Sequence, residues 1–466
     1  MSGTFGFSTL RPSLVATTTG IAFTLALVVA ASAQGKLVTK TMRWGPIRAG
    51  NYAVVSDTVR TPAPRLAGSI VQMHARMVDS AGRPMSPQRL MLHHVVFLNL
   101  GARTGDRHDG SCPELPRERF YGNGEEDETL QLPPGYGYPV GARDRWRMSW
   151  MVMNHRNRQE KGWIEYTVTV DDDPTLSPVK PFWLDVAGCG KGSIFSVPGG
   201  EGPGAVQDQS IPWIPPRDGR IVAMGSHLHG GALAMRVTEP DCGDRTLAES
   251  RPTYGMPDNI YYRIRPILHE PGPISTSWFE SQSGVPIHRG ERLTVHGEYE
   301  AEHPHARVMA IAHAYVAFGG AAVPEGCAPL PDDITAITTS TPGRTEPPFA
   351  PIPLTGLDSH GKAITIDRPP GKAKTVAGDV TVLVRDWAFS PPNLSVPAGA
   401  TVTWRFDDKV RHGVTLASGP RGFASLNLRN GATYSQRLDV PGTYRLLCPL
   451  HPVTMTEAID VRPAPG

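Results

Sequence analysis

The chain lacks any excess of charge of one sign. Its 46 Lys and Arg stand against 44 Asp and Glu, leaving a formal charge of +2 over 466 residues. That balance excludes a polybasic nucleic-acid binder and an acidic-tail protein. Cysteine is scarce, and its count of 5 is odd, so one must stand outside any set of disulfides. Past residue 33 no apolar run approaches membrane-spanning length. Aromatic residues are only 7%, yet hydrophobic residues reach 39%, enough for real cores, which excludes global disorder. What abounds is turn chemistry: 49 Gly and 46 Pro. That is too much for a helical bundle and suits an all-β protein with many turns. The length suggests roughly three domains.

Residues 1–33 read as a secretory signal. Arg11 supplies the positive region, Gly20 to Ala30 the apolar stretch, and Ala31-Ser32-Ala33 a cleavage site before Gln34. An uncleaved anchor over Leu14 to Ala33 is the alternative, and only then is a membrane a partner. Either way the expected location is secreted, periplasmic or otherwise extracytoplasmic, where disulfides are permitted.

From about Lys40 to Gly320 short alternating segments recur, such as Ser69 to Met77, Trp163 to Val170 and Val308 to Val316. Turn clusters such as Asp171-Asp-Asp-Pro174 and Pro198-Gly-Gly-Glu-Gly-Pro203 separate them. This pattern predicts β-sandwiches, with a division near Asp171 to Pro181 giving domains over 34–178 and 179–320. Residues 321–376, with Pro342, Pro347, Pro348, Pro351, Pro353, Pro369 and Pro370, read as an extended linker. Alternation returns in Ala400 to Phe406 and Gly442 to Leu447, so residues 377–466 form a third, smaller β domain.

That last domain carries the strongest motif. Cys448-Pro-Leu-His451-Pro-Val-Thr-Met455 ends the chain's final alternating run, and His412 stands upstream in Arg411-His-Gly. One thiolate, two imidazoles and a thioether make the ligand set of a type 1 copper site. A zinc site is a poor alternative, because a Met ligand does not suit it. Such a centre transfers electrons without needing an open coordination position. With Phe389 to Trp404 before the His412 loop, this region resembles the cupredoxins of the plastocyanin and amicyanin group. The resemblance implies a Greek-key β-sandwich.

In the front half the histidines fall into groups. His93 and His94 are adjacent on a strand-like run, where neighbours face opposite ways, so both reach one metal only at a strand end or bulge. His155 follows the apolar run Trp150-Met-Val-Met-Asn. His227 and His229 are two apart between glycines and share one face, a chelating arrangement. Together these elements resemble the copper type II, ascorbate-dependent monooxygenases, the family of peptidylglycine α-hydroxylating and dopamine β-monooxygenases. The resemblance implies two jelly-roll-like domains with an open solvent cleft between two coppers. His93, His94 and His155 would hold the copper that receives electrons; His227, His229 and Met309 the one that activates oxygen. Met224 and Met235 are rival sulfur ligands, and His303 and His305 are expected on a solvated turn. The peptide-amidating branch has Arg two residues before the His-x-His pair and Tyr four after the Met; here Gly225 and His313 stand there, so peptide amidation is not supported.

With Cys448 given to copper, Cys112, Cys189, Cys242 and Cys327 allow two disulfides in three pairings. The expectation is thus an exported copper oxidoreductase with one type 1 and two type 2 coppers. A monooxygenase-like module would be fused to an electron-transfer domain on a tether that lets it dock and leave. Its partners would be O2, an organic substrate and an external electron donor or acceptor. The alternative is a non-catalytic copper-binding or electron-carrier protein in which only the cupredoxin domain is redox-active.

Overall fold

The computed structural model describes residues 35–463 except 104, 191, 320–325 and 339–341. The signal reading of residues 1–33 lies outside the described residues. Among them strands dominate and helix is confined to single turns, so the chain is all-β as the turn-rich composition predicts.

Three apolar cores order the fold. The first lies between two sheets. One contains Leu37–Ala49, Glu160–Asp171, Gly68–Val78 and Tyr136–Val140; the other runs Val54–Thr61, Trp146–Met153, Met91–Asn99, Glu118–Gly124. Strict alternation decides the faces. Trp146, Met148, Trp150 and Val152 point inward, while Arg147, Ser149 and Met151 point out. Phe97 packs on Tyr166 with ring centroids 4.8 Å apart, and Phe120 stacks on Tyr138 at 4.9 Å. Each such aromatic is worth about 3–5 kcal/mol against truncation to Ala.

The second core is closed by Ser177–Asp185, Ala310–Phe318, Gly219–Leu228 and Trp278–Ile287 on one side. Val206–Trp213, Leu293–Glu300, Ala232–Glu239 and Arg245–Ser250 face them. Met224 and Met235 are fully buried in this core, so they are packing residues and not rivals for a metal. The two halves are not separate bodies. Ser177 and Pro178 pair in parallel with Tyr136 and Gly137, which joins the first sheet of each half into one ten-stranded sheet. The strand Ser177–Asp185 therefore straddles the boundary expected at 178/179.

The third core, around Trp404, Phe406, Phe389, Tyr444 and Ile459, sits between a sheet holding Asn393–Pro397, Thr456–Arg462 and Gly442–Leu447 and one holding Val380–Arg385, Ala400–Phe406 and Thr433–Leu438. The segment before it is not a free tether. Thr335–Ile337 pairs with the edge strand Trp278–Ile287, and Gly343–Arg344 with Pro252–Gly255. Ile352 and Leu354 are buried against Ala417 and Leu447. The third sandwich is fastened directly as well. Gly422 N donates to the Pro198 carbonyl at 2.8 Å, and Arg421 pairs with Glu201 at 3.0 Å. The two disulfides are Cys112–Cys189 and Cys242–Cys327.

Candidate copper sites

At the C-terminal end, the strand Gly442–Leu447 delivers Cys448 into a tight loop. His451 N donates to the Cys448 carbonyl at 3.0 Å, Met455 N to that of His451 at 3.0 Å, and Cys448 N to that of Met455 at 2.9 Å. The loop thereby folds His451 and Met455 back over the thiol. His412 arrives from another segment, pinned by reciprocal backbone hydrogen bonds with Leu428. Cys448 Sγ lies 3.5 Å from His451 Nδ1 and 3.9 Å from His412 Nδ1, and the two nitrogens are 3.2 Å apart. Three donors at bonds of about 2.0–2.3 Å to a common metal stand roughly 3.5–4 Å from one another. The triangle therefore fits a copper ion. Met455 is fully buried in the same core.

The surroundings tune this triangle. Gly413 N donates to the sulfur at 3.5 Å, and His412 Nε2 donates to Asp408 at 3.1 Å, which turns Nδ1 toward the thiol. Burial pushes the Cys448 thiol up, so metal binding must release its proton. Burial, and then the neighbouring His412, lowers His451 to about 4, leaving it a neutral ligand. Trp387, half exposed, packs edge-on against His451 with centroids 4.3 Å apart.

In the front half the two expected histidine sets do not lie apart across a cleft. The ring of His93 is 5.2 Å from that of His94 and 5.2 Å from that of His229; His94 is 6.0 Å from His227. A bulge makes this possible. The register of Met91–Asn99 against Trp146–Met153 slips between Leu92 and His94, so both neighbours turn to one side. His227 and His229 close the Gly219–Leu228 strand with rings 5.1 Å apart. Met309, half-buried in the break between His305–Val308 and Ala310–Phe318, borders the same space.

Two contributions were not legible in the sequence. His269, from the irregular segment after the short helix Ile260–Arg263, places its ring 4.8 Å from that of His93. The run Glu125-Glu-Asp-Glu128 buries three of its four carboxylates. Glu125 contacts His269 Nε2 and stands 3.1 Å from His93 Nδ1. His227 Nδ1 donates to Glu126 at 2.9 Å and His313 Nδ1 to Glu128 at 3.1 Å. Glu128 also accepts from Ser226 N at 2.8 Å, and its carboxylate fills the place where a side chain on Gly225 would go. The Gly at that position is thus a packing requirement.

The other histidine nitrogens await a partner. Nδ1 of His94 and His269, and Nε2 of His155, His227, His229 and His313, are buried without a hydrogen bond. Each such group costs about 1–3 kcal/mol, so six together would cost on the order of 10 kcal/mol, comparable to a whole domain's stability. Metal ligation removes that cost, and the carboxylate behind His227 and the carbonyl behind His155 supply the outer hydrogen bonds that ligating histidines need. Burial holds His94 and His229 well below the ordinary imidazole value and His155 at about 4, which keeps their lone pairs free. Burial lowers His227 and His269 as well, but Glu126 and Glu125 outweigh it and raise them. His155 is held by the Pro266 carbonyl at 3.0 Å on the His269 side of the cluster. His303 is half-buried, stacked on Phe349 at 4.0 Å. His305 is not on a solvated turn: it is fully buried between Glu270 and Glu300, because those carboxylates neutralise its charge.

Two cavities meet this cluster. One of about 510 Å³ is lined by His94, Asn123, Trp183, His227, Met309 and His313. Arg117, Arg119 and Arg147 line it too, and among the described residues no carboxylate does. The other, of about 60 Å³, has His93, His94, His229 and His269 on one side and Leu447, Pro449 and Leu450, which flank Cys448, on the other. Arg307 also borders it, and its guanidinium donates to Ser425 O and Asn427 Oδ1, both at 3.0 Å.

No family model matches the chain. Amicyanin-alpha of Methylorubrum extorquens is 34% identical over 79 residues, 16% of this chain and 66% of that protein, just under two thirds of its length. The amicyanin of Paracoccus denitrificans is 29% identical over 107 residues, 22% of this chain and 82% of that protein. Among solved structures, a purple cupredoxin from Nitrosopumilus maritimus matches with 26% identity and a TM-score of 0.17, covering 18% of this chain and 98% of that one. Over roughly a sixth to a fifth of its length, then, the chain is homologous to the copper-binding, electron-transferring cupredoxins.

Proposed function

We propose that the protein is an exported copper oxidoreductase in which the C-terminal sandwich is the cupredoxin portion and passes single electrons to a copper centre in the histidine cluster. The observation that carries this reading is the small shared cavity, which puts the residues flanking Cys448 opposite His93, His94, His229 and His269. Two redox sites in separate proteins need a docking step; here the docking is built into the chain through Arg307, Arg421 and the Ile352 segment. Copper held by these residues would supply one-electron redox chemistry at both places and oxygen activation at the histidine cluster. The reaction class is the insertion of one oxygen atom of O2 into a substrate C–H bond, with two electrons and two protons taken up and one water released.

The residues divide this work. Thiol and imidazoles at the C-terminal site hold a closed ligand set suited to outer-sphere transfer. The half-exposed Trp387 against His451 marks where an external donor approaches. The large cavity admits substrate to the His94 and His227 side; Arg119 there is paired with Asp109 at 2.6 Å, and Arg117 and Arg147 beside it favour a substrate with anionic or strongly accepting oxygen atoms. His313, oriented by Glu128 and stacked on Trp183 at 4.2 Å, presents its unpartnered nitrogen there as a hydrogen-bonding group.

The test joins oxygen consumption with spectroscopy. His229→Ala abolishes reductant-driven oxygen consumption and leaves the blue absorption intact. Cys448→Ala removes the blue absorption and, with a protein donor, the activity. Activity untouched by Cys448→Ala would remove the internal donor role. A front half free of metal under copper excess would reduce the protein to an electron carrier.

A further inference from the structure

We propose that the front-half coppers form one dinuclear centre in a single buried compartment, with His269 and Glu125 among its ligands. This rests on the reading that the cluster holds copper, and it departs from two well-separated mononuclear sites across an open cleft.

Donor geometry carries the inference. The ligand atoms of His93, Glu125 and His269 all lie within 4.8 Å of one another, a three-donor set able to hold an ion by itself. His94, His227 and His229, with successive rings 6.0 and 5.1 Å apart and Met309 bordering the same space, form a looser second set. The ring of His93 touches both sets, 4.8 Å from His269 and 5.2 Å from His229, so two ions held this way are neighbours. The donor count demands two. A copper ion takes four or five ligands, whereas this compartment collects His93, His94, His227, His229, His269 and Glu125, with His155 behind His269.

Charge supports the same count. Two cations in one buried space repel, and histidines alone offer nothing against that. The turn Gly124 to Glu128 brings Glu125 and Glu126 to the cluster, buried and with no arginine or lysine paired to either among the described residues. A second oxygen of Glu126 has no hydrogen-bond partner at all. Two carboxylates match two Cu(I) ions in charge.

The experiment loads the full chain with copper alone, oxidises it, and compares metal content with spin-counted EPR. Three coppers per chain are expected, with the blue centre giving its full signal and the other two giving a broadened signal of deficient intensity with a half-field transition. Three coppers with two additional full-intensity, non-interacting signals would overturn the dinuclear centre while leaving the proposed function standing. One blue copper alone would overturn both. His269→Ala and Glu125→Gln should each lose one copper and convert the remaining front-half copper to a full, isolated signal. The blue absorption reports in each variant that the chain has folded. A folded His269→Ala protein that keeps three coppers and an unchanged spectrum would remove His269 from the ligand set.

Discussion

His305 joins three segments of the front-half site, so its replacement should be costly in a way that pH can dissect. The side chain is fully buried, with Nδ1 donating to Glu270 at 2.7 Å and Nε2 to Glu300 at 2.6 Å. Glu270 follows His269, and His305 opens the strand that leads to Met309. The ring lies against Gly231, where φ is +83° and an added Cβ would stand 2.5 Å from it. Burial opposes the imidazolium, but Glu270 and then Glu300 outweigh it and push His305 up to about 10. The same contact holds Glu300 at about 2 against its own burial. At about 1.4 kcal/mol per pKa unit, the rise at His305 corresponds to about 5 kcal/mol. The two partners share that energy, so the figures do not add; truncating a buried pair typically costs about 3–5 kcal/mol. His305→Gln should therefore destabilise the front half by about 3–5 kcal/mol in urea unfolding followed by far-ultraviolet circular dichroism. The pH dependence has a definite sign. The wild-type contribution is fully present below the ordinary imidazole value and is lost as pH rises through about 10. In the variant the penalty comes from two facing carboxylates, so it eases as pH falls through the ordinary carboxylate range. The difference between the two proteins should form a plateau from about pH 5 to about pH 6.5, decline steadily from there until about pH 10, and shrink also as the carboxylates protonate at low pH. A difference below about 1 kcal/mol at pH 7, or one that grows at low pH, would refute the charge-lock argument.

Three further outcomes follow from the same reasoning. Glu457, fully buried with Trp404 Nε1 donating to it at 2.7 Å, is pushed by burial up to about 8, so its stabilising protonated form is fully present below the ordinary carboxylate value and lost as pH rises through about 8. Glu457→Gln should remove on the order of 4 kcal/mol of that pH dependence, read as the difference between the two proteins' unfolding curves in the same copper state. The disulfides close separations of 77 and 85 residues, and reducing either should cost about 4–5 kcal/mol by the chain-entropy estimate, with peptide mapping returning the Cys112–Cys189 and Cys242–Cys327 pairs. Arg307→Ala removes two charge-assisted hydrogen bonds to the third sandwich, worth about 1.5–3 kcal/mol each, and should slow internal electron transfer in pulse radiolysis while leaving the blue spectrum in place.

How much of this was legible depended on how local the physics is. The all-β fold shows in the sequence because side-chain alternation and turn residues are properties of a few neighbouring positions. The C-terminal triangle was legible for the same reason, since Cys448, His451 and Met455 share one loop and only His412 comes from afar. His227 and His229 announce themselves by a spacing that strand geometry turns into a shared face. The pair His93 and His94 was legible only up to a condition, the bulge, which depends on the partner strand. His269 has no spacing partner, and its approach to His93 depends on a non-repetitive segment between two sheets. Glu125 to Glu128 carries no local signal of burial, because an acidic run is ordinarily solvated; its burial makes sense only beside His227, His269 and His313. The packing of the proline-rich segment was not legible, because proline content predicts extension but not the surface along which an extended chain lies. The joining of the halves rests on two parallel residue pairs, too few to leave a pattern.

The packed linker changes what the fusion of domains accomplishes. A free tether raises the local concentration of a donor but leaves each electron to wait for a docking event. Here the donor sandwich is held by the buried Ile352 and Leu354, by Arg421 at Gly199 and Glu201, and by Arg307 at Ser425 and Asn427. Releasing it would expose the buried Ile352, Leu354 and Leu447 and strand the Arg307 guanidinium, whose burial already lowers it to about 10. A docked geometry of this kind suits the proposed internal electron transfer, whereas storage of copper or carriage of electrons to outside partners needs no fixed face toward the histidine cluster. The same geometry sets where regulation by an external donor must act. Under the proposed function an external donor would reach the C-terminal site from the side where Trp387 lies exposed against His451. Turnover then divides into an outer step sensitive to salt and to changes at Trp387 and an inner step sensitive to Arg307. A protein whose two steps responded alike to ionic strength would have its donor sandwich leaving and returning, and the fastening described above would not hold in solution.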